Sequence, residues 1–367
     1  MEWTPELTEQ LYNTGAFLLF LDFPERSEFG IDCQSWTVGA KFKGLKMIPP
    51  GVHFVYYSTA SKAAHSGDHA PRIAFCHDFK ANELLVKKWD AAAEDVLQTA
   101  CTDDEIERYR ANLRTLDASL APYPIETYRQ WFSLSQHVTP ALLTQLSPVS
   151  GRISAQCELV TMEQSVGAAN SNRVDRAHPV RVRFTDAQGL PIMRVKDGHA
   201  IRFSRIPVNR VPQGATSSDV TKHSLDATDQ LARFIRSSYE SNDSTLVLGE
   251  LQFAFICFLL GQVYAGFEQW KRLVHLLCSC KDALVEQPTL FTSFLMALHF
   301  QLKECPRDFF VDIVTRDNFL TSTLGNFFAN VECLAEDERL SVELRDKARR
   351  FKAHLTKRFK WRFDVTE

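Results

Sequence analysis

The chain has almost no net charge, no familiar catalytic motif and no uninterrupted apolar run, and each absence removes a class of function. Lys and Arg number 42 against 45 Asp and Glu, a formal charge of -3 over 367 residues. That balance argues against nucleic-acid binding by the whole molecule and leaves only local basic patches. There is no phosphate-binding glycine loop, no dinucleotide fingerprint, no nucleophile elbow and no His-Glu-x-x-His. The 11 histidines show no local pairing with an acid or nucleophile, which favours a non-enzyme over a hydrolase with dispersed residues. No cofactor and no metal are expected. Leu246 to Val263 comes nearest to a membrane span, but it contains Glu250, Gln252 and Gln262. Those polar groups are costly in hydrocarbon and mark the stretch as a buried helix of a soluble bundle. The start, with Glu2, Glu6 and Glu9 ahead of a short apolar run from Ala16 to Phe23, does not read as a signal peptide. No repeat of fixed period is evident. The nine cysteines are an odd count, several inside apolar runs where cysteine acts as a small hydrophobe. They fit a reducing cytoplasmic or nuclear setting.

What is present divides in two. A chain of this length exceeds what one core usually supports, so two domains are the default. The run from Glu28 to Ser58 is dense in glycine, proline and aromatics. Gly30, Gly39, Gly44 and Gly51 are read as turn positions that exploit positive φ. Met47 to Gly51 reads as a rigid corner, followed by alternation of Val52, Phe54 and Tyr56 with His53, Val55 and Tyr57. Phe17 to Leu21, Arg72 to Phe79 and Glu83 to Trp89 add short strands. From Asp103 the period becomes helical, with Thr102 to Glu105 as cap and first-turn acids. Further helices are expected over Ile125 to Ser135 and after Pro140. Residues 150 to 200 lose periodicity and read as a linker or mobile loop. Ile201 to Phe203, Ile206-Pro207 and Val211-Pro212 read as an extended strap on the second domain. From Thr216 the pattern is helical throughout: Leu246 to Gly261, Phe267 to Cys280, Leu290 to Leu302, Phe309 to Val314, Phe319 to Phe328 and Leu340 to Phe359. The division is therefore 1–149 (β-rich, with helices at its end), 150–200 (linker) and 201–367 (helical).

Several blocks resemble one known family. The Glu28 to Ser58 run is similar to the amino-terminal signature of the AAR-two (alpha-two repression) family of splicing factors. Gly249-Glu250-Leu251-Gln252-Phe253-Ala254-Phe255 with Phe258 to Gly261 looks like the family's central helix, and Phe267 to Leu273 like the next one. Phe309 to Val314 with Asp317 to Leu320, His354 to Phe359, Pro122-Tyr123-Pro124 and Thr221 to Ser224 match in order. The resemblance implies an α+β fold: a β-rich sandwich or partial barrel with flanking helices, then an all-α domain similar to the VHS fold. It also implies an assembly factor of the U5 small nuclear ribonucleoprotein. Such a factor binds the RNase-H-like and Jab/MPN-like domains of the large U5 scaffold protein before the unwinding helicase joins, alongside other U5 proteins and with no membrane. Release by phosphorylation in the family makes Ser217 and Ser218, in an exposed-looking helix cap, the candidate sites. Some members add a strand across the partner with a longer tail; this chain stops soon after Trp361-Arg362-Phe363.

Individual residues give further expectations. Trp36, Tyr56, Tyr57, Trp131 and Trp361 are candidate anchors of a protein interface, because aromatics concentrate binding energy. Arg345 to Arg362 carries nine basic residues and one acid, Asp346. Ala348, Phe351, Leu355 and Phe359 recur at helical steps, which leaves Arg349, Arg350, Lys357, Arg358 and Lys360 as a candidate basic surface. An acidic protein groove or direct RNA contact would suit it, and RNA binding is the alternative function. His65 to His69 reads as a polar loop tip rather than a metal site. Cys278-Ser279-Cys280 lacks redox or zinc spacing and reads as structural. Glu250 reads as a structural hydrogen-bonding group between helices.

Overall fold

The computed structural model describes residues 4–60, 69–97, 101–156, 159–161, 190–212, 216–305 and 319–363. Helix α1 (Pro5–Thr14) leads into two five-stranded sheets. The first runs in the order β8 (Asp95–Val96), β7 (Leu84–Asp90), β1 (Ala16–Leu21), β4 (Gly44–Ile48), β9 (Leu120–Pro122). It is mixed, since β1 pairs parallel with β7 and antiparallel with β4. The second is antiparallel: β10 (Ile153–Ser154), β6 (Ile73–Phe79), β5 (Gly51–Ser58), β2 (Glu28–Ile31), β3 (Gln34–Thr37). Between them lies a core of Phe20, Phe23, Phe29, Val55, Tyr57 and their neighbours.

The alternation in β5 divides two buried faces. Every residue from His53 to Ser58 is buried. Val55 and Tyr57 face the inter-sheet core, while Phe54 and Tyr56 face the helices. A strand covered on both sides has no polar face to display.

The expected turn glycines are also redistributed. Gly44 and Gly51 do have positive φ, whereas Gly30 lies inside β2. A Cβ there would sit 2.3 Å from the Tyr56 ring, so glycine is required by close approach and not by a turn.

Residues 103–146 connect the layers. Thr102 and Glu105 form the expected capping box of α2 (Asp103–Ala111). After the short α3 (Leu113–Leu116), α4 (Tyr128–Ser135) and α5 (Pro140–Leu146) pack on the helical half, with α4 also against β5 through Trp131. That half comprises α6 (Ser217–Leu225), α7 (Thr228–Ser238), α8 (Thr245–Leu259), α9 (Tyr264–Cys278), α10 (Ala283–Glu286), α11 (Pro288–Glu304), α12 (Phe319–Glu336) and α13 (Val342–Phe359). Helix α8 is its axis, with all residues from Val247 to Cys257 buried and α4, α5, α9 and α11 packed around it. No described helix is long and apolar enough to cross a membrane. Helix α7 was not singled out from the sequence, although Leu231, Phe234 and Ile235 carry its buried face.

Two stretches bear on the expected linker. Ile153 and Ser154 pair with β6, and β11 (Leu159–Thr161) pairs with β12 (Met193–Val195). The linker's residues 157–158 and 162–189 lie outside the described residues, as do the expected helix Phe309 to Val314 and the last residues 364–367.

Candidate interaction surfaces

Polar groups buried between layers fix how the surfaces are presented. In the β region, Asp32 lies at the β2–β3 turn with φ 52°. Its carboxylate accepts from the Phe54 amide at 2.9 Å and the Tyr123 hydroxyl at 2.6 Å, and meets His53 Nδ1 at 2.6 Å. His53 Nε2 faces the Pro49 carbonyl at 2.7 Å. Burial, then the Asp32 charge, push the Tyr123 hydroxyl far above its ordinary value, so it remains a donor. This cluster is closed to solvent, which makes it a brace for the Pro49-Pro50 corner.

In the helical half, Glu250 accepts from the Ser204 amide at 2.8 Å, Gln269 Nε2 at 2.9 Å and the Tyr239 hydroxyl at 2.8 Å. Gln269 also donates to the Ser204 carbonyl at 2.9 Å. One carboxylate thus pins the 201–207 strap to α7, α8 and α9, the structural role expected of it. Further along, Gln230 donates to the Pro207 carbonyl and Arg233 to the carbonyls of Asn209 and Arg210. Ile201, Phe203 and Ile206 pack on the helical core.

Arg72 joins the halves. It grips Glu28 with two hydrogen bonds (3.0 and 2.7 Å), donates to the Leu260 carbonyl at the end of α8 (2.8 Å), and lies 4.7 Å from the Tyr56 ring centre. Trp131 donates to the Val52 carbonyl at 3.0 Å, and Gln130 meets Glu304.

Four of the five proposed aromatic anchors are thereby corrected. Tyr56, Tyr57, Trp131 and Trp361 are all buried. Tyr56 and Trp131 fill the seam, Tyr57 the inter-sheet core, and Trp361 stacks on Phe359 at 4.8 Å under the bundle. Their apolar area serves folding, so none presents a surface. Trp36 is half-buried on the edge strand β3, beside a polar recess lined by Glu28, Ser58 and Arg72.

The basic helix keeps the expected division of faces. Leu344, Ala348, Phe351 and Leu355 are buried, while Arg349, Arg350, Lys357 and Lys360 are exposed. Arg358 is half-buried and donates to the Lys303 carbonyl at 2.9 Å. Lys347 pairs with Glu343, Lys352 with Glu332 and Arg349 with Asp346 at 2.8–3.3 Å, so part of the positive face is already neutralised. Ser217 and Ser218 are exposed in the first turn of α6, next to the Thr216–Asp219 capping box. Cys278 and Cys280 are buried, and burial raises both thiols, which suits the structural role. Of His65 to His69 only His69 is described, and no group of three potential metal ligands occurs among the described residues.

Sequence reasoning missed a groove of about 950 Å³ between the strap and α9. Its lining includes Phe203, Arg205, Ile206, Arg210, Val263 and Arg272. Arg210 donates to His275 Nε2 at 3.0 Å. Burial and then the Arg210 charge lower the His275 pKa, in keeping with a neutral ring that accepts. The signal lay in arginines spaced along a proline-punctuated strap, which becomes legible only once α9 is known to face it.

These features describe an α+β protein of two interlocked halves, its conspicuous groups placed for packing and contact. Residues 14–148 match the AAR2 N-terminal domain and residues 203–364 the AAR2 C-terminal repeat region. A Caenorhabditis elegans protein called "Protein AAR2 homolog" is 47% identical over 369 residues, covering 98% of each chain. The mouse and human proteins of that name are 42% and 40% identical over 366 residues, covering 99% of this chain and 94% of theirs. The chain belongs to the AAR2 family.

Proposed function

We propose that the protein is a non-catalytic assembly factor in U5 snRNP biogenesis and pre-mRNA splicing. In this reading it binds the RNase-H-like and Jab/MPN-like domains of the large U5 scaffold protein, delays helicase binding, and works in the cytoplasm and nucleus. The observation that carries the reading is collinear similarity to AAR2 homologues across both halves of the chain. Ser217 and Ser218 are the proposed release sites. Phosphate there would meet unpaired amides at a helix N-terminus and hold α6 in its helical form, which would change the surface a partner sees.

The test is a pull-down of recombinant protein with those two scaffold domains at low and high salt. Stoichiometric binding that tolerates salt supports the reading; no binding at either salt overturns it. The basic helix favours one other reading, RNA contact through Arg350, Lys357 and Lys360, which are exposed and carry no acidic partner among the described residues. Binding through several phosphates would fall roughly a thousandfold between about 50 and 200 mM salt, and that collapse would distinguish it.

A further inference from the structure

The groove between the strap and α9 has a floor and a rim of opposite character. Phe203, Ile206, Pro207, Val263 and Leu276 line its apolar part. Val208, 94% exposed, and Tyr264, 68% exposed, leave large apolar area in water at its mouth. Three arginines stand on the rim. Arg205 and Arg272 are exposed and have no hydrogen bond or ion pair among the described residues; Arg210 meets a histidine and a backbone carbonyl, not an acid. The one lining carboxylate, Glu268, is held by Lys271 at 2.6 Å. Glu268 also feels the Arg272 charge, so the compensation is partial, and three arginines against one carboxylate leave a net positive rim around an apolar trough.

The trough is also pre-organised. Its strap wall is anchored through Ser204 to Glu250 and Gln269, and through Pro207 and Arg210 to Gln230 and Arg233. A ligand would find this wall already ordered and need not meet the cost of fixing it.

We propose that this groove binds an acidic peptide segment carrying one or two large apolar side chains. The apolar residues would enter the trough, and flanking Asp or Glu would pair with Arg205, Arg272 and Arg210. Charge complementarity chooses the occupant, because guanidinium forks match carboxylates in two-point geometry. An RNA strand suits the site less well. It would need stacking platforms, and the trough is mainly aliphatic, with Tyr264 the one widely exposed ring. The proposal does not depend on the identity of the large scaffold partner: the peptide could belong to any protein.

The probe is a displayed library of random 12-residue peptides, selected on the full chain and in parallel on an R205E/R272E variant. Both substitutions are at exposed side chains, and circular dichroism checks that the variant is folded. The expected result is enrichment of sequences with acidic residues flanking Leu, Phe or Ile. Synthetic versions of them should bind at least tenfold more weakly to the variant and unchanged to R349E/R350E. No enrichment, enrichment without acidic bias, or equal binding to R205E/R272E overturns the proposal. So does a 12-nucleotide oligouridine that binds the same arginines while the acidic peptides do not.

Discussion

At the scale of single residues, the chain spends its unusual groups on closing seams. Glu250 is fully buried with three donors around it, so truncation leaves the Tyr239 hydroxyl, the Ser204 amide and Gln269 without an acceptor. Glu250→Ala is expected to lower stability by about 3 kcal/mol in urea unfolding. Glu250→Gln should cost less, because Tyr239 can turn to accept while the backbone amide keeps its carbonyl partner. Equal losses would mean that packing, and not the hydrogen bonds, holds the strap. Gly249, one position earlier, serves the same seam. A Cβ there would sit 2.3 Å from the His137 carbonyl and 2.5 Å from Leu142, and the carbonyl belongs to backbone that cannot swing away. Gly249→Ala should therefore destabilise by about 2 kcal/mol, in the range of core overpacking, although alanine is the better helix former. A neutral or stabilising result would show that α5 can retreat from α8 without loss.

At the scale of elements, the helices were the most legible part of the sequence, because cap and period sit in neighbouring residues. Thr102 with Glu105 caps where it was read, Pro140 opens α5 as expected behind a Thr139 cap that was not read, and Thr216 with Asp219 caps the helix expected to start there. Strand exposure was not legible, since the second covering of β5 comes from helices more than seventy residues away in the chain. A comparable separation, 65 residues between Arg210 and His275, hid the groove, and long-range covering of this kind led to aromatics being read as surface anchors. A long-range tie of this kind can be tested by pH. Asp226, at the start of α7, accepts from Thr228 and from the amides of Lys281 and Asp282 ahead of α10. Burial pushes its pKa up, but the hydrogen bonds from Thr228, Asp282, Lys281 outweigh that, and the pKa ends below the ordinary 3.8. A carboxylate depressed by folding contributes stability above its unfolded pKa and loses it as pH falls through the folded value. The urea midpoint of the native chain should thus drop as pH falls below about 4, and part of that drop should vanish in Asp226→Asn. Identical profiles would remove Asp226 as the tie between α7 and α10.

At the scale of the whole molecule, the division of the chain in two coexists with a core that crosses the division. Phe54, Tyr56 and Ala74 from the second sheet belong to the same apolar cluster as the bundle around α8. Arg72 spans the junction, and its side chain and that of Glu28 are each less than one-fifth exposed, so their pairing is little screened. Neither half can therefore unfold without stripping apolar area from the other. Tryptophan fluorescence of a Trp270→Phe/Trp361→Phe background, in which the described tryptophans left are Trp36, Trp89 and Trp131 of the β region and seam, and far-UV circular dichroism, dominated by the helices, are expected to give coincident unfolding curves. Arg72→Ala should shift both curves together by about 2 kcal/mol, the cost of stranding a paired, partly buried carboxylate. If the two probes separate in that background, the shared core does not couple the halves. If they separate only in Arg72→Ala, the coupling runs mainly through this one guanidinium. Coincidence in both would assign it to the apolar seam. Coincident curves would mean that a binding partner meets one rigid surface drawn from both halves, with α6, which buries none of its residues, free to change.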